Sequence, residues 1–322
     1  MSNRNELREW PSVFKETKGS AVPKKSKVST NEAAHIASIL PEKFLMSNSK
    51  LANELPNEFI GEGEQQIKVS KQGAKEVKVF ATLDYDNTAL DLKGRYPFTP
   101  FDMSVHDAVS TLWAAGNQAF TPAMVYRAMN GLSDKEKVSP VAEKRVAESI
   151  EKSRSTKLTI DFTEQAKAHG VPIEKTKMDD MLLSARKHTV IMNNVELEAY
   201  VINSSPILYE YSKAINQIVK IPIEMLNTKK VLNSTPEVTV LRLYLLKRIE
   251  MMKNSSNNIH KNRIQYETIY KNIGIHNPNK DKTKALKKHI KTLLEYWEEQ
   301  KIIKSFSEYK AGRVAKGIEI IY

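Results

Sequence analysis

The sequence predicts an α+β protein, mainly α with small β elements, in which two tandem winged helix-turn-helix domains follow a disordered N-terminal tail. Near the C-terminus, a helical pattern with an apolar stripe and an opposed lysine face precedes a two-strand pattern with a basic turn. Earlier in the chain, three helical patterns again precede strands. These observations predict a tail over residues 1–75, an N-terminal winged-helix domain over 76–226 and a C-terminal DNA-binding one over 227–322.

The tail is predicted from its composition. Residues 1–75 are rich in Ser, Asn, Lys, Glu and Gly, and their apolar residues recur without a sustained period. Chains of this kind bury too little apolar surface to fold. Pro23–Lys27 is therefore interpreted as solvated linker, while Asn31–Asn53 has patterns for one or two short helices.

Three helices form the core of the predicted N-terminal domain. Ser104 followed by Asp107 predicts the first start, as a capping box, and Thr121-Pro122 and Ser139-Pro140 predict the next two. The helices are expected to end near Gly116, Met129 and Arg154. Strands are predicted at Val77–Leu83, Lys157–Phe162, Met181–Met192 and Val195–Ile202, with the last two joined by a turn at Asn193-Asn194.

The predicted C-terminal domain begins after a polar connection, Asn227–Pro236. Its elements are a long helix Glu237–Lys253, a break at Asn254–Asn258, a short helix Ile264–Ile273, a turn Gly274–Asn279, a basic helix from Lys280, and strands Ile302–Glu308 and Gly317–Tyr322 around a turn at Lys310–Arg313. This is the order of a winged helix, in which the last helix enters the major groove and the hairpin turn touches the backbone.

The basic helix has two opposed faces. Its apolar stripe is Leu286, Ile290, Leu293, Leu294 and Trp297. Lys284, Lys287, Lys288 and Lys291 repeat at the helical period on the other side. The alternative interpretation is an ordinary solvated face, and the distribution of charge argues against it: residues 242–322 hold 18 Lys and Arg against 8 Asp and Glu, and so carry 10 of the chain's net charge of +12. Such asymmetry indicates a polyanionic partner.

Several function classes are excluded or disfavoured. The chain has no cysteine, which excludes disulfides and thiolate chemistry and favours a cytoplasmic location. It has no P-loop motif, no apolar run long enough to span a membrane and no signal-peptide pattern, so we expect neither a cofactor nor a membrane partner. The seven histidines form no metal-binding pair, and no metal site is predicted.

Two enzymatic alternatives remain open at the level of sequence. Asp84 and Asp86, within Asp84-Tyr85-Asp86-Asn87-Thr88, resemble the nucleophile motif of haloacid-dehalogenase-like phosphatases, with Asp179-Asp180 as a later acidic pair. The alternating βα units of such an enzyme are missing, however. Tyr266 and Tyr270 have the spacing of paired tyrosines in some nicking enzymes, but they also belong to an apolar stripe, so a core role is predicted.

Three stretches carry a family resemblance: VHDAVSTLWAAGNQAFTPAMVYRAMNG, EVTVLRLYLLKRIEMMKN and KTKALKKHIKTLLEYWEEQKIIK. They resemble replication-initiator proteins of plasmids and mobile elements in Gram-positive bacteria, a class similar to initiators with two tandem winged helices. The likeness covers about residues 77–322. In that class the C-terminal unit reads base edges in origin repeats, and the N-terminal unit contacts backbone and mediates dimerisation.

The resemblance implies a set of DNA contacts and no catalytic residue. On the basic helix these are Lys280, Lys282, Thr283, Lys284, Lys287, Lys288 and Lys291; on the wing they are Lys310, Arg313 and Lys316; weaker contacts in the first unit are Lys144, Arg145 and Lys152. The basic helix has no Arg, Asn or Gln on its exposed early turns, although those residues favour bidentate base recognition. Phosphate affinity is therefore predicted more directly than sequence specificity.

The predicted function is non-catalytic binding of double-stranded origin repeats by a replication initiator. A homodimer and host helicase or other replication proteins are the partners that the class implies. A winged-helix transcriptional regulator is the nearest alternative, and the phosphatase is the alternative from another class.

Overall fold

The computed structural model describes residues 39–58, 64–72, 75–85, 98–192, 195–253 and 262–322, and the fold is of mixed α and β class, as predicted. Its helices are α1 (Lys50–Glu58), α2 (Pro100–Ala114), α3 (Pro122–Asn130), α4 (Pro140–Arg154), α5 (Thr163–Ala168), α6 (Ile207–Ala214), α7 (Pro236–Lys253), α8 (Tyr266–Asn272) and α9 (Lys280–Glu299). Its strands are β1 (Lys43–Ser47), β2 (Glu64–Gln72), β3 (Lys75–Tyr85), β4 (Ala119–Phe120), β5 (Thr156–Asp161), β6 (Lys177–Met181), β7 (Ala185–Met192), β8 (Val195–Ile202), β9 (Ile218–Pro222), β10 (Arg263–Gln265), β11 (Ser305–Ala311) and β12 (Val314–Ile321). None of the helices in these ranges is long and apolar enough to cross a membrane.

Helices α2, α3 and α4 and a sheet of strand order β4–β8–β7 make up what we call the first helical unit. The start and end of α3 follow from local sequence signals. Thr121 caps it by accepting a hydrogen bond from the Met124 N–H at 3.3 Å, Pro122 occupies the first turn, and Gly131 ends it with a φ of 59°. Side chains with a Cβ rarely adopt that backbone conformation, so the predicted helix end is confirmed.

Helices α7, α8 and α9 and a sheet of order β10–β12–β11 make up the second helical unit. The two units share one order of elements. In each, a short strand lies between the first two helices and pairs antiparallel with the last strand, which also pairs with the strand before it. As the third helix of its unit, α4 is therefore equivalent to α9.

A separate antiparallel sheet has the strand order β2–β3–β5–β6. In the chain, β5 and β6 lie between α4 and β7, whereas β2 and β3 come before α2. It packs with α1, α5 and α6 around its own apolar cluster, which includes Leu51, Val79, Leu158 and Tyr211. The strand predicted at Lys157–Phe162 is thus real, but it belongs to this sheet and not to the sheet of the first helical unit.

Residues 43–58 and 64–72 correct the prediction of an unstructured tail up to residue 75. Strand β1 pairs with β9 through partners such as Phe44 and Ile221. Phe44 is fully buried, and so is Leu51 of α1. A pairing between such distant segments leaves no local period in the sequence, which is why composition was misleading. Residues 1–38, including the Pro23–Lys27 cluster, lie outside the described residues.

Two helix starts also differ from prediction, for local reasons. Helix α2 begins one turn early: Thr99 accepts from the Asp102 N–H at 3.2 Å, and Asp102 accepts from the Thr99 N–H at 2.8 Å, so the capping box is Thr99–Asp102 and not Ser104–Asp107. Helix α8 is preceded by β10, a strand too short to show a period. The predicted turn Asn193-Asn194 and the break Asn254–Asn258 lie outside the described residues.

One apolar cluster runs through both helical units. It includes Val109 of α2, Met129 of α3, Leu245 of α7 and Leu293 of α9. The predicted domain boundary at residue 227 stays a prediction, but the helices on its two sides are packed together, so the units have a defined relative position.

His106 gives α2 a predicted sensitivity to acid. Its side chain is 1% exposed, and neither ring nitrogen has a hydrogen-bond partner among the described residues. Burial lowers the pKa of His106 to about 4, from 6.5. Between those two pH values the unfolded chain binds a proton that the folded chain does not, so this histidine lowers the free energy of unfolding as pH falls from 6.5 to 4. The full effect is about 3 kcal/mol.

We expect His106→Leu to remove this acid loss, measured as urea unfolding from pH 7.5 down to 4. Asp107→Asn is the matched control, because burial raises the pKa of Asp107, against the opposing charge of Lys247, and its contribution has the opposite sign: stability is lost as pH rises above the usual carboxyl range. Curves for His106→Leu and the unaltered chain that run parallel across the range would contradict the prediction.

Candidate nucleic-acid interface

Helix α9 is held by one face. Its N-cap Asn279 accepts a hydrogen bond from the Lys282 N–H at 2.8 Å. Five apolar side chains along the helix are buried in the core of the second helical unit, namely Leu286, Ile290, Leu293, Leu294 and Trp297. These are the residues of the predicted stripe, and the orientation of the helix is confirmed by their burial.

Four lysines share the solvent side of α9, and we call them the lysine face: Lys280, Lys284, Lys288 and Lys291, all exposed. At 3.6 residues per turn they fall within about 80° of arc, opposite the buried stripe. Lys291 lies 3.6 Å from Glu295, with both side chains at least half exposed. The other three ammonium groups have no acidic partner within the described residues. Exposed pairs contribute little, so the positive charge of the face is almost uncompensated.

Charge along α9 runs against the helix dipole. Lys280 is in the first turn and Lys284 follows one turn later, whereas Glu295, Glu298 and Glu299 are at the C-terminal end. A helix favours acids at its N-terminus and bases at its C-terminus, and each misplaced terminal charge costs roughly 0.3–1 kcal/mol. Apart from Asp281, the sequence does the reverse, so this charge pattern does not stabilise the fold.

Three of the predicted α9 contacts lie off the lysine face. Lys287 places its ammonium 4.4 Å from the ring centre of Tyr266, whose hydroxyl donates to Glu308. Lys282 lies at the other edge of the buried stripe from Lys287 and pairs with Glu237 of α7. The Thr283 hydroxyl donates to the Asn279 carbonyl at 2.8 Å. Lys282 and Thr283 are therefore engaged within the protein, which no local pattern could have indicated for Lys282.

The hairpin of β11 and β12 ends in a basic tip. Lys310, Arg313 and Lys316 are exposed on either side of Gly312, whose φ of 63° forms the turn. The structure thus places them together, as predicted. Arg263 of β10, which the prediction left out, lies 5.3 Å from the ring centre of Tyr309 and pairs with Glu319 at 3.2 Å.

The three predicted contacts of α4 are not equivalent. Lys144 and Arg145 are exposed and have no ion pair among the described residues. Lys152 instead lies 2.7 Å from Asp102 of α2, and its side chain is only 15% exposed. This buried ion pair holds α4 against α2. The exposed basic residues of α4, Lys144 and Arg145, therefore lie nearer its N-terminus.

The enzymatic alternatives do not assemble a site in the described residues. Asp84 is the next-to-last residue of β3 in an antiparallel sheet and is exposed, and Asp179 lies 3.0 Å from Lys157. Asp86 and Thr88 lie outside the described residues. No group of three or more His, Asp or Glu that could hold a metal occurs within the described part of the chain.

The tyrosine pair belongs to the core. Tyr266 and Tyr270 are 5% and 6% exposed, and their rings stack 6.1 Å apart. The predicted core role is confirmed by this burial, which withholds both rings from a substrate strand.

Similarity to known proteins is found at the level of structure. No protein-family profile and no curated sequence matches this chain. The chain is similar to a selenomethionine crystal structure of domains 2 and 3 of RctB, with 11% identity and a TM-score of 0.43 over 85% of this chain and 95% of that one. It is also similar to another crystal structure of RctB domains 2–3, with 12% identity and a TM-score of 0.45 over 84% and 96%. Likenesses of this size carry no argument about function.

Proposed function

We propose that this chain binds double-stranded DNA without catalysis of its own, and that the second helical unit acts as a winged helix. In this proposal α9 lies in the major groove with its N-terminal turns toward the DNA, and the basic tip of the β11–β12 hairpin contacts the backbone. The observation that carries the proposal is the lysine face, since its ammonium groups share one solvent side of a helix whose other side is buried.

The alternative of an ordinary solvated face is disfavoured by the order of charges. Solvated helices gain stability when acids precede bases along the chain, and α9 has the opposite order. Three ammonium groups also remain without acidic partners in the described residues. The charge order lowers the folding stability of α9, and its unpaired ammonium groups favour the binding of a polyanion, because each phosphate contact releases counterions.

The first helical unit is proposed as a second winged helix, since its elements and strand pairing repeat those of the second unit. We further propose that the chain initiates replication of a plasmid or mobile element in the cytoplasm by binding origin repeats. The family resemblance of three stretches supports this role. Strand opening would come from binding energy and a recruited host helicase, with a homodimer as one bound form. A transcriptional regulator with the same units would bind the repeats yet fail to maintain a plasmid that carries them.

The test removes three charges from the lysine face, by Lys284→Ala, Lys288→Ala and Lys291→Ala in one chain. Binding to a labelled 30-base-pair duplex of arbitrary sequence is measured by fluorescence anisotropy between 50 and 300 mM salt. We expect affinity to fall on the order of tenfold to hundredfold. The slope of log affinity against log salt should become shallower by about three, at roughly 0.9 per phosphate contact.

A matched control removes the same charge elsewhere, by Lys167→Ala, Lys175→Ala and Lys177→Ala. These lysines are exposed on and near the four-stranded sheet. They should leave the salt slope unchanged, with only a small general loss of affinity. Equal losses in the two triple variants would refute a specific role for α9. No binding by the unaltered chain would refute the function.

A further inference from the structure

The outward faces of α4 and α9 differ in chemistry although the two helices are equivalent in their units. The exposed early turns of α9 carry lysine and no Arg, Asn or Gln. On α4, four exposed residues follow one another at i, i+3, i+4 and i+7: Val141, Lys144, Arg145 and Glu148. They lie within about 100° of arc, opposite the buried Val146 and Ile150. Helical spacing counted from the apolar Val146 and Ile150 would have placed Val141 and Glu148 beside the predicted contacts Lys144 and Arg145.

Val141 is the most informative member of the set. It is 69% exposed, in the first turn of α4, where an apolar β-branched side chain contributes nothing to the core. Arg145 and Glu148 beside it have no ion pair within the described residues. An apolar group, a guanidinium and a carboxylate are the three side-chain types that recognise thymine methyl, guanine and cytosine edges in the major groove.

The rest of α4 is held in place by its N-cap, an ion pair and a hydrogen bond, so the four exposed side chains have fixed positions. Ser139 caps the helix by accepting from the Ala142 N–H at 3.3 Å. At the other end Lys152 pairs with Asp102, and Glu151 accepts from the Tyr200 hydroxyl at 2.9 Å. A helix anchored at its C-terminal half with its N-terminal half exposed matches the way a recognition helix presents its early residues to base edges.

We propose that α4 reads the DNA sequence while α9 supplies phosphate affinity, an assignment that rests on the DNA-binding function proposed above. Arg145 donates two hydrogen bonds to the O6 and N7 of a guanine, and Val141 contacts a thymine methyl group. Glu148 accepts from a cytosine N4 amino group, and Lys144 contacts an adjacent phosphate. The family resemblance implies the reverse assignment, in which the C-terminal unit reads bases, so the two can be told apart by experiment.

The experiment uses the full chain and a pool of random duplexes from which the preferred site is selected. Arg145→Lys keeps the charge but loses the planar fork that grips two acceptors. We expect affinity for the selected site to fall roughly 5- to 100-fold, with affinity for an arbitrary duplex and the salt slope unchanged. Reselection with Arg145→Lys should relax the preference for guanine at one position, and Val141→Ser should relax a thymine.

The matched control is Lys288→Ala on α9, which should weaken binding to the selected site and to the arbitrary duplex by the same factor. Equal thermal melting of all variants checks folding, which is expected because the residues are exposed. The proposal is overturned if Arg145→Lys leaves the selected site and its affinity unaltered, or if Lys288→Ala alters base preference. It is also overturned if the unaltered chain selects no sequence while still binding DNA, and that last result leaves the proposed DNA-binding function standing.

Discussion

Gly317→Ala is expected to lower the free energy of unfolding by about 3 kcal/mol or more and to abolish DNA binding that depends on the lysine face. Gly317 lies in the central strand of the second helical unit, paired with Gln265 on one side and Tyr309 on the other. An added Cβ would meet the Ile264 carbonyl oxygen, with Tyr309 Cε1 at 2.7 Å and Gln265 Cα at 2.8 Å. Two of these three atoms are backbone, so relief requires β10 to separate from β12.

The same separation reaches α9 through the core. Ile264 of β10 and Ile318 of β12 belong to the apolar cluster that also buries Leu286 and Leu293 of α9. Opening the sheet therefore removes packing from the buried side of the helix, and the lysine face loses its fixed geometry. Loss of binding by this route should appear together with loss of stability.

Urea unfolding and anisotropy measure the two effects, and Gly312→Ala is the matched control. Gly312 has a φ of 63° at the hairpin turn, and a Cβ there would meet nothing within 4 Å. Its replacement should cost only the roughly 1–2 kcal/mol of left-handed backbone strain. Similar losses of stability in the two variants would show that the close contacts at Gly317 do not constrain the sheet.

Local signals explain which parts of the fold could be predicted from sequence. The ends of α3 and the cap of α4 follow from Thr121-Pro122, Gly131 and Ser139-Pro140, because caps act through hydrogen bonds three or four residues apart. Strands β4 and β10 have two and three residues, too few to show alternation. β1 is held by β9, from which it is separated by most of the chain, so nothing near it in sequence indicates a strand.

The candidate site, too, was predictable from sequence where the signal is local and not where it depends on distant neighbours. The helical period alone separated Lys284, Lys288 and Lys291 from the buried stripe of α9, and the structure agrees. It also grouped Lys287 with them, whereas the structure places that ammonium over the ring of Tyr266. Whether a given lysine is free depends on neighbours that the period does not reveal: Lys152 meets Asp102 across fifty residues, and Lys282 meets Glu237 of another helix. Arg242 is the extreme case, since it was counted in the excess positive charge of residues 242–322 and is 0% exposed.

Arg242 joins the two helical units, and its removal is the second large effect that we expect. From α7 its guanidinium donates to the Met129 carbonyl at 3.0 Å and to Asn130 Oδ1 at 2.6 Å, both at the end of α3, and to Thr228 Oγ1 at 3.0 Å. Burial lowers the pKa of Arg242 to about 10, so the group stays charged at neutral pH with no carboxylate paired to it in the described residues. Neutral acceptors and the C-terminal end of a helix hold this cation.

We expect Arg242→Met to lower the free energy of unfolding by about 3 kcal/mol. The buried Met129 carbonyl and Thr228 hydroxyl lose their donor, and Asn130 Oδ1 keeps only the hydrogen bond from Thr239. Removal of a charge that was costly to bury offsets part of this loss. Arg186→Met is the control, since Arg186 is exposed and donates to Asn203, and its loss should stay below about 1 kcal/mol. Thermal unfolding followed by circular dichroism measures both. A loss in Arg242→Met no larger than in Arg186→Met would contradict the assigned role.

A second substitution separates lost hydrogen bonds from lost packing at this junction. Thr228→Val replaces one orphaned acceptor by an apolar group of the same shape, which is nearly neutral when its donor is already gone. In the Arg242→Met background it should restore part of the lost stability, whereas in the unaltered chain it should cost about 1–2 kcal/mol. Opposite signs in the two backgrounds would identify the hydrogen bonds of Arg242, rather than its volume, as what couples α7 to α3. Since α4 follows α3 and α9 packs on α7, that coupling also fixes the spacing at which the two proposed DNA contacts can be made.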